Sequence, residues 1–207
     1  MTRTSSVVLF APEDYASTTR RVFAALVDFV LLILVLTAIG SVLQLKYVPP
    51  DVIRMPRSAE KQRLINKHMK PAQMPAVGGW VLFCIAYHTA ARRFPFGTAG
   101  YLVAGLRIVD PSGSSPPWRV LIRRFALAVP FVGFFGISYL KCRQNPRRQA
   151  FHDQWCGTWV VRRAARPQGP AKLAYQTKLL GPFLTTYVEV EPLDESEQAA
   201  VEANTPP

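Results

Sequence analysis

The longest feature in the pattern of apolar and polar positions is a run from Val22 to Leu45, whose segment Phe29–Leu43 carries no charge. As a helix its 24 residues extend about 36 Å, enough to cross a hydrocarbon core of about 30 Å with some tilt. A second apolar run, Pro75 to Ala91, opens on a proline and closes on Arg92 and Arg93, and it predicts a helix of about 76–94 that just spans. The third, Phe125 to Leu140, is interrupted by Pro130, Gly133 and Gly136. It predicts a helical element of about 119–140 that either spans or dips in and returns.

Between these runs the chain is polar. Lys46 to Met74 contains four prolines and seven Lys/Arg and reads as a solvated connection with one short helix, Ser58–Met69. Leu106–Val109 and Thr158–Val161 are short β-type segments among turn residues and are expected to meet as a small cytosolic strand pair. Residues 1–19 read as a cytosolic tail, 20–165 as the membrane domain, and 166–207 as a C-terminal tail. From Glu189 onward that tail has six acids and no base and is expected to be disordered. The fold class expected is therefore all-α integral membrane: two transmembrane helices, a third apolar element and the strand pair.

Composition agrees. The 207 residues are 49% apolar with a formal charge of +12, a combination that argues against both a disordered chain and a soluble nucleic-acid binder. The basic runs lie beside the apolar stretches and suit topology determination and contact with anionic lipid headgroups; no recognition helix or aromatic-interleaved patch indicates nucleic acid. Cys84, Cys142 and Cys156 form no metal or disulfide pattern. The first helix is expected to stay in place as an anchor rather than be cleaved.

The Lys/Arg count also bears on sidedness. If all three apolar stretches span, the two sides hold nine and sixteen; if the third returns, they hold eighteen and seven. The larger bias favours the second arrangement, with both termini cytoplasmic in an inner, cell-enclosing membrane.

Asp28 is the main candidate for chemistry, because an acid inside a membrane helix requires a partner or a wet cavity. Arg21 lies seven residues earlier on the same face, about 10 Å away, too far to touch it closely. In an antiparallel helix pair, His88 comes to nearly the depth of Asp28, and Cys84, Tyr87 and His88 form a polar stripe with Trp80. This juxtaposition is the candidate proton or cation relay; the competing reading is that Asp28 pins helix packing. Asp153 follows a basic collar and precedes a glycine turn, so it is expected to order that turn or pair with Arg107, Arg123 or Arg124. His152-Asp153 is not a hydrolase signature, and no nucleophile elbow or metal motif accompanies it; no enzymatic activity is expected.

The segment Arg21-Val-Phe-Ala-Ala-Leu-Val-Asp28 resembles the first motif of the RDD family, named for one arginine and two aspartates. Phe151-His152-Asp153 with Gly157-Thr158-Trp159-Val160-Val161 resembles its closing motif, and Thr98-Ala99-Gly100 with Gly105 to Asp110 and Gly113 its central Gly-Thr-rich segment. The resemblance covers about residues 20–163. Phe96 and Tyr101 depart from the pattern, standing where a glycine and a lysine are usual, and Cys156 replaces a small residue. The resemblance implies a multi-pass bacterial membrane protein for which transport has been proposed, with no cofactor. Two functions follow: a transporter component moving protons, cations or a small ligand through an oligomer, and a membrane scaffold or regulatory subunit, working with a partner protein, whose Arg and Asp residues are structural.

Overall fold

A computed structural model describes residues 7–94, 97–133, 142, 147–180, 183–194 and 196–197. In chain order the elements are β1 (Val7–Leu9), a 3-10 turn (Pro12–Asp14), α1 (Thr18–Tyr47), α2 (Pro50–Arg54), α3 (Ala59–Arg93), α4 (Ala99–Ala104), β2 (Leu106–Val109), α5 (Trp118–Gly133), α6 (Phe151–Cys156), β3 (Trp159–Arg162), β4 (Gly169–Leu180) and β5 (Phe183–Pro192).

α1 starts where Ser17 accepts a hydrogen bond from the Arg20 amide, an N-cap that satisfies one of the donors orphaned at a helix start. Ser58 caps α3 in the same way through Lys61. Both helices are long and apolar enough to cross a membrane, and only 11% and 6% of their most apolar stretches are buried against the rest of the chain. A core helix of a water-soluble protein would hide such a surface; here Phe29, Leu34, Val42 and Leu82 stand exposed, as in a helix solvated by lipid.

α3 is longer than its sequence suggests. The short helix expected at Ser58–Met69 and the apolar helix expected from 76 are one continuous element containing Pro71 and Pro75. The prolines are one turn apart and exposed, so the carbonyls they leave unbonded fall on an open face rather than in a packed one. α5 carries the first half of the third apolar stretch; the expected continuation to 140 lies outside the described residues.

β2 and β3 pair antiparallel, Leu106 opposite Arg162 and Val109 opposite Trp159, so the expected strand pair is present. Both of its faces are buried, which accounts for its nearly continuous apolar sequence. Leu106, Ile108 and Val160 face a cluster with Ala16, ahead of α1, and with Ala24, Tyr101 and Leu121 from the helices. Val109, Trp159 and Val161 face a second cluster with Phe10, Tyr15, Ala171 and Val190.

That second cluster corrects the expected tails. Residues 7–16 are built into the fold: β1 pairs with β4, Val7 opposite Ala171, and the Ala16 amide donates to the Val160 carbonyl at 2.9 Å. The C-terminal segment forms a hairpin, β4 against β5, giving a three-stranded sheet of order β1-β4-β5. The expected disorder from 189 is thus corrected as far as Pro192, and Val190 is core. Beyond it, Asp194 and Glu197 reach back to the Lys172 ammonium at 3.0 and 2.9 Å. The acids of this segment alternate with valines, Val188-Glu189-Val190-Glu191, the period of a strand with one buried face. The chain is mostly helical, as expected, but carries two small sheets where one strand pair was expected.

Candidate functional site

Two buried aspartates tie the helices together, each through a different set of partners. Asp28, 3% exposed on α1, accepts three hydrogen bonds. Its Oδ1 receives the Tyr87 hydroxyl of α3 and the Gly100 amide of α4, and its Oδ2 the Thr98 hydroxyl, all at 2.7 Å. The Tyr87 oxygen in turn accepts from the Ala99 amide at 3.0 Å. One carboxylate thus joins three helices. The junction requires close approach: a Cβ at Gly100 would overlap the Ala24 carbonyl oxygen and stand 2.9 Å from Asp28 Cγ, so only glycine fits.

Asp153, fully buried on α6, lies between two guanidinium groups. Arg21 Nη1 of α1 donates to its Oδ2 at 2.5 Å and Arg124 Nε of α5 to its Oδ1 at 2.7 Å, with Arg124 Nη2 also on Oδ1. Oδ2 further accepts the Ala150 amide at 3.2 Å, capping α6. Arg21 and Asp28, two turns apart on α1, thus serve separate clamps and do not pair with each other.

Between the clamps, α1, α3 and α5 enclose a cavity of about 310 Å³. Arg21, Asp28, His88, Arg92, Arg124 and His152 line its polar end, and Ala25, Phe29, Leu32, Phe125, Ala128 and Val129 its apolar end. The Arg92 guanidinium stands 5.0 Å over the Tyr101 ring, a cation–π contact.

A family model described as the RDD family matches residues 15–157, a span that contains both clamps. The chain belongs to the RDD family. No curated protein and no solved structure matches it. With its two bare apolar helices, it is a membrane protein of the RDD kind.

The RDD residues named from sequence all take defined places. Thr98 is the N-cap of α4, receiving the Tyr101 amide at 3.4 Å, while its own hydroxyl donates to Asp28. Gly105 ends α4 at φ 65° and Gly157 ends α6 at φ 59°, left-handed positions suited to glycine. Thr158 turns the chain into β3, its amide donating to the Asp153 carbonyl at 3.0 Å. Phe151–Cys156 is a helix closed at Gly157, so His152 and Asp153 are successive helical residues.

Among the described residues His88 makes no hydrogen bond with Asp28, the contact the relay expectation called for. Its ring stacks on Phe125 at 5.3 Å, and Nδ1 has no hydrogen-bond partner among the described residues. Successive helical residues are about 100° apart, so Tyr87 faces α1 while its neighbour faces Phe125 of α5. Of the three arginines proposed for Asp153, Arg124 pairs with it. Arg107 and Arg123 instead donate to the Ala165 and Trp155 carbonyls. Arg21 was the partner the sequence did not reveal, since 132 residues separate the pair. Arg92, which closes α3, approaches Tyr101 and so puts a cation where the RDD pattern usually has a lysine.

The electrostatics outside the membrane helices follow from burial. Desolvation raises the Asp153 carboxyl, but Arg124 and Arg21 overcome it and hold it well below the usual carboxylate range. Burial, reinforced by the same arginines, brings the His152 imidazole down to about 3. His152 is therefore neutral at physiological pH. Its contact with Asp153, Nε2 to Oδ1 at 3.5 Å, is not an ion pair.

Proposed function

We propose that this RDD protein is a non-enzymatic, multi-pass membrane scaffold or regulatory subunit whose Arg21, Asp28 and Asp153 fix the fold. The observation that carries this reading is the engagement of Asp28 by Tyr87, Thr98 and the Gly100 amide. A relay residue must exchange its proton along a path, and its hydrogen bonds must rearrange as it does so. Here one donor is a backbone amide held by α4, and the oxygens are occupied in joining three helices. Asp153 is similarly committed.

The pairing of β2 with β3, and of β1 with β4, supports the arrangement in which the third apolar stretch returns to its own side. A straight third span would separate strands that hydrogen-bond. With the greater Lys/Arg count on the side of the sheets, the β-module and both termini are cytosolic, in the inner membrane. The exposed apolar faces of α1 and α3 leave room for a second copy or a membrane partner beside the lipid.

One observation favours transport: the cavity between the helices. Its charged lining is mainly arginine, which suits an anion better than a proton or cation. The test is flux into sealed vesicles holding purified protein, wild type beside Asp28→Asn. The scaffold reading expects proton and cation flux no greater than in empty vesicles for both, with Asp28→Asn assembling well because an amide keeps an acceptor oxygen toward Tyr87 and Gly100. Wild-type flux abolished in well-assembled Asp28→Asn protein would overturn it.

A further inference from the structure

Arg21, Arg92 and Arg124 all line the same cavity. Among the described residues Arg21 Nη2 and Arg92 Nε are buried with no hydrogen-bond partner, while Arg124 also engages the Tyr101 side chain. His88, in the same wall, keeps Nδ1 unpartnered as well. Leaving one buried donor unmet is costly, and several in a single cavity point to a missing acceptor. Arg21 and Arg124 are 3% and 1% exposed and are held in place by their shared Asp153, so neither can turn out to water.

The charges leave a surplus. The three guanidinium groups face two carboxylates, Asp153, shared by two of them, and Asp28, taken up by neutral donors. One positive charge is therefore uncompensated, and a planar fork of N–H donors best fits an oxyanion such as a phosphate.

The far end of the cavity has a different character. Phe29 and Val129 line it, yet they are 59% and 54% exposed on the outer surface of α1 and α5. The cavity thus opens sideways through apolar side chains of α1, which is long and apolar enough to cross a membrane, and of α5. A free inorganic anion would use only the basic end.

We propose that this cavity is a binding site for an anionic phospholipid, its phosphate held by Arg21, Arg92 and Arg124 and its acyl chain leaving between Phe29 and Val129. The site does not depend on the scaffold reading: flux in vesicles would overturn that reading and leave lipid selectivity unaltered.

The experiment uses delipidated full-length protein in neutral detergent, with lipid binding counted by native mass spectrometry and confirmed by thermal shift. The ligands are phosphatidylglycerol, phosphatidylcholine and inorganic phosphate. Phosphatidylglycerol is expected to bind at least about tenfold more tightly than phosphatidylcholine, and inorganic phosphate to give little shift. Arg92→Gln removes one charge-assisted donor without touching either clamp, and is expected to weaken phosphatidylglycerol binding about ten- to a hundredfold. Ala128→Phe, which fills the apolar end, is expected to weaken it similarly and keeps the test decisive if Arg92→Gln does not assemble. Equal binding of the two lipids, undiminished phosphatidylglycerol binding in both variants, or a shift with phosphate alone matching that of the lipid would overturn the proposal.

Discussion

Replacing Asp153 with alanine removes one carboxylate and strands two arginines. Asp153 is 0% exposed, and Arg21 and Arg124 are buried beside it, so the loss is that of a dry pair rather than a surface one. Removing one partner of a buried pair costs about 3–5 kcal/mol, and here a second guanidinium and the α6 cap at Ala150 are lost with the same side chain. At about 1.4 kcal/mol per tenfold change, the folded population relative to unfolded falls at least a hundredfold. The assay is the yield and thermal midpoint of monodisperse protein extracted from membranes. Arg124→Met alone should cost less, because Asp153 keeps Arg21. Replacing all three with apolar residues, Arg21→Met, Arg124→Met and Asp153→Leu, should recover much of the loss, since no buried charge remains unpaired. Wild-type yield and midpoint in Asp153→Ala would refute the reasoning. Normal assembly combined with lost phenotype in cells would move Asp153 from the frame into the working site.

Gly100→Ala should disrupt the α1–α4 junction by about 3 kcal/mol or more, because its Cβ meets backbone atoms that cannot yield. Gly105→Ala, at φ 65° with nothing near, should cost only about 1–2 kcal/mol, and equal thermal midpoints for the two variants would contradict the difference. Stability should fall with pH below about 6.5: His152 is held down to about 3 when folded, so between those values only the unfolded chain takes up its proton, at about 1.4 kcal/mol per pH unit. Asp153, also held low, adds to the loss below about 4, whereas both contributions are complete above 6.5; unchanged midpoints from pH 7 to 5 would contradict this. Cys142 and Cys156 are buried and poor reporters of sidedness, so Tyr175→Cys, 71% exposed in wild type, should be labelled by an impermeant thiol reagent only from the cytosolic side. Labelling in intact cells would reverse the orientation.

What the sequence made legible was whatever is local. The uncharged run of α1, the apolar half of α3, the strand pair and the glycine stops at 105 and 157 all have signals within a few residues of themselves. The partners of the two aspartates did not, because Arg21 and Asp153, or Asp28 and Gly100, meet only after the whole chain has turned back. Tyr87 was visible as part of a polar stripe, but its depth along the helix did not tell it from His88; the angle that does so depends on how α3 is rotated. The N-terminal segment looked like a tail because a three-residue strand carries no period. The C-terminal segment looked like a tail, disordered from 189, because the run of acids beyond that point masked the alternation that gives β5 its buried Val190.

The β1–β4 pairing has a consequence for biosynthesis. The first strand to leave the ribosome waits for a partner about 160 positions later. At roughly 5–20 residues per second this is a delay of about 8–30 s, during which α1 has already entered the bilayer and Phe10 and Tyr15 have no core to occupy. The β-module is therefore completed last, when β4 and β5 reach the waiting β1. A nascent chain arrested before β4 should hold its first residues open to protease or chaperone, and release through β5 should close that window.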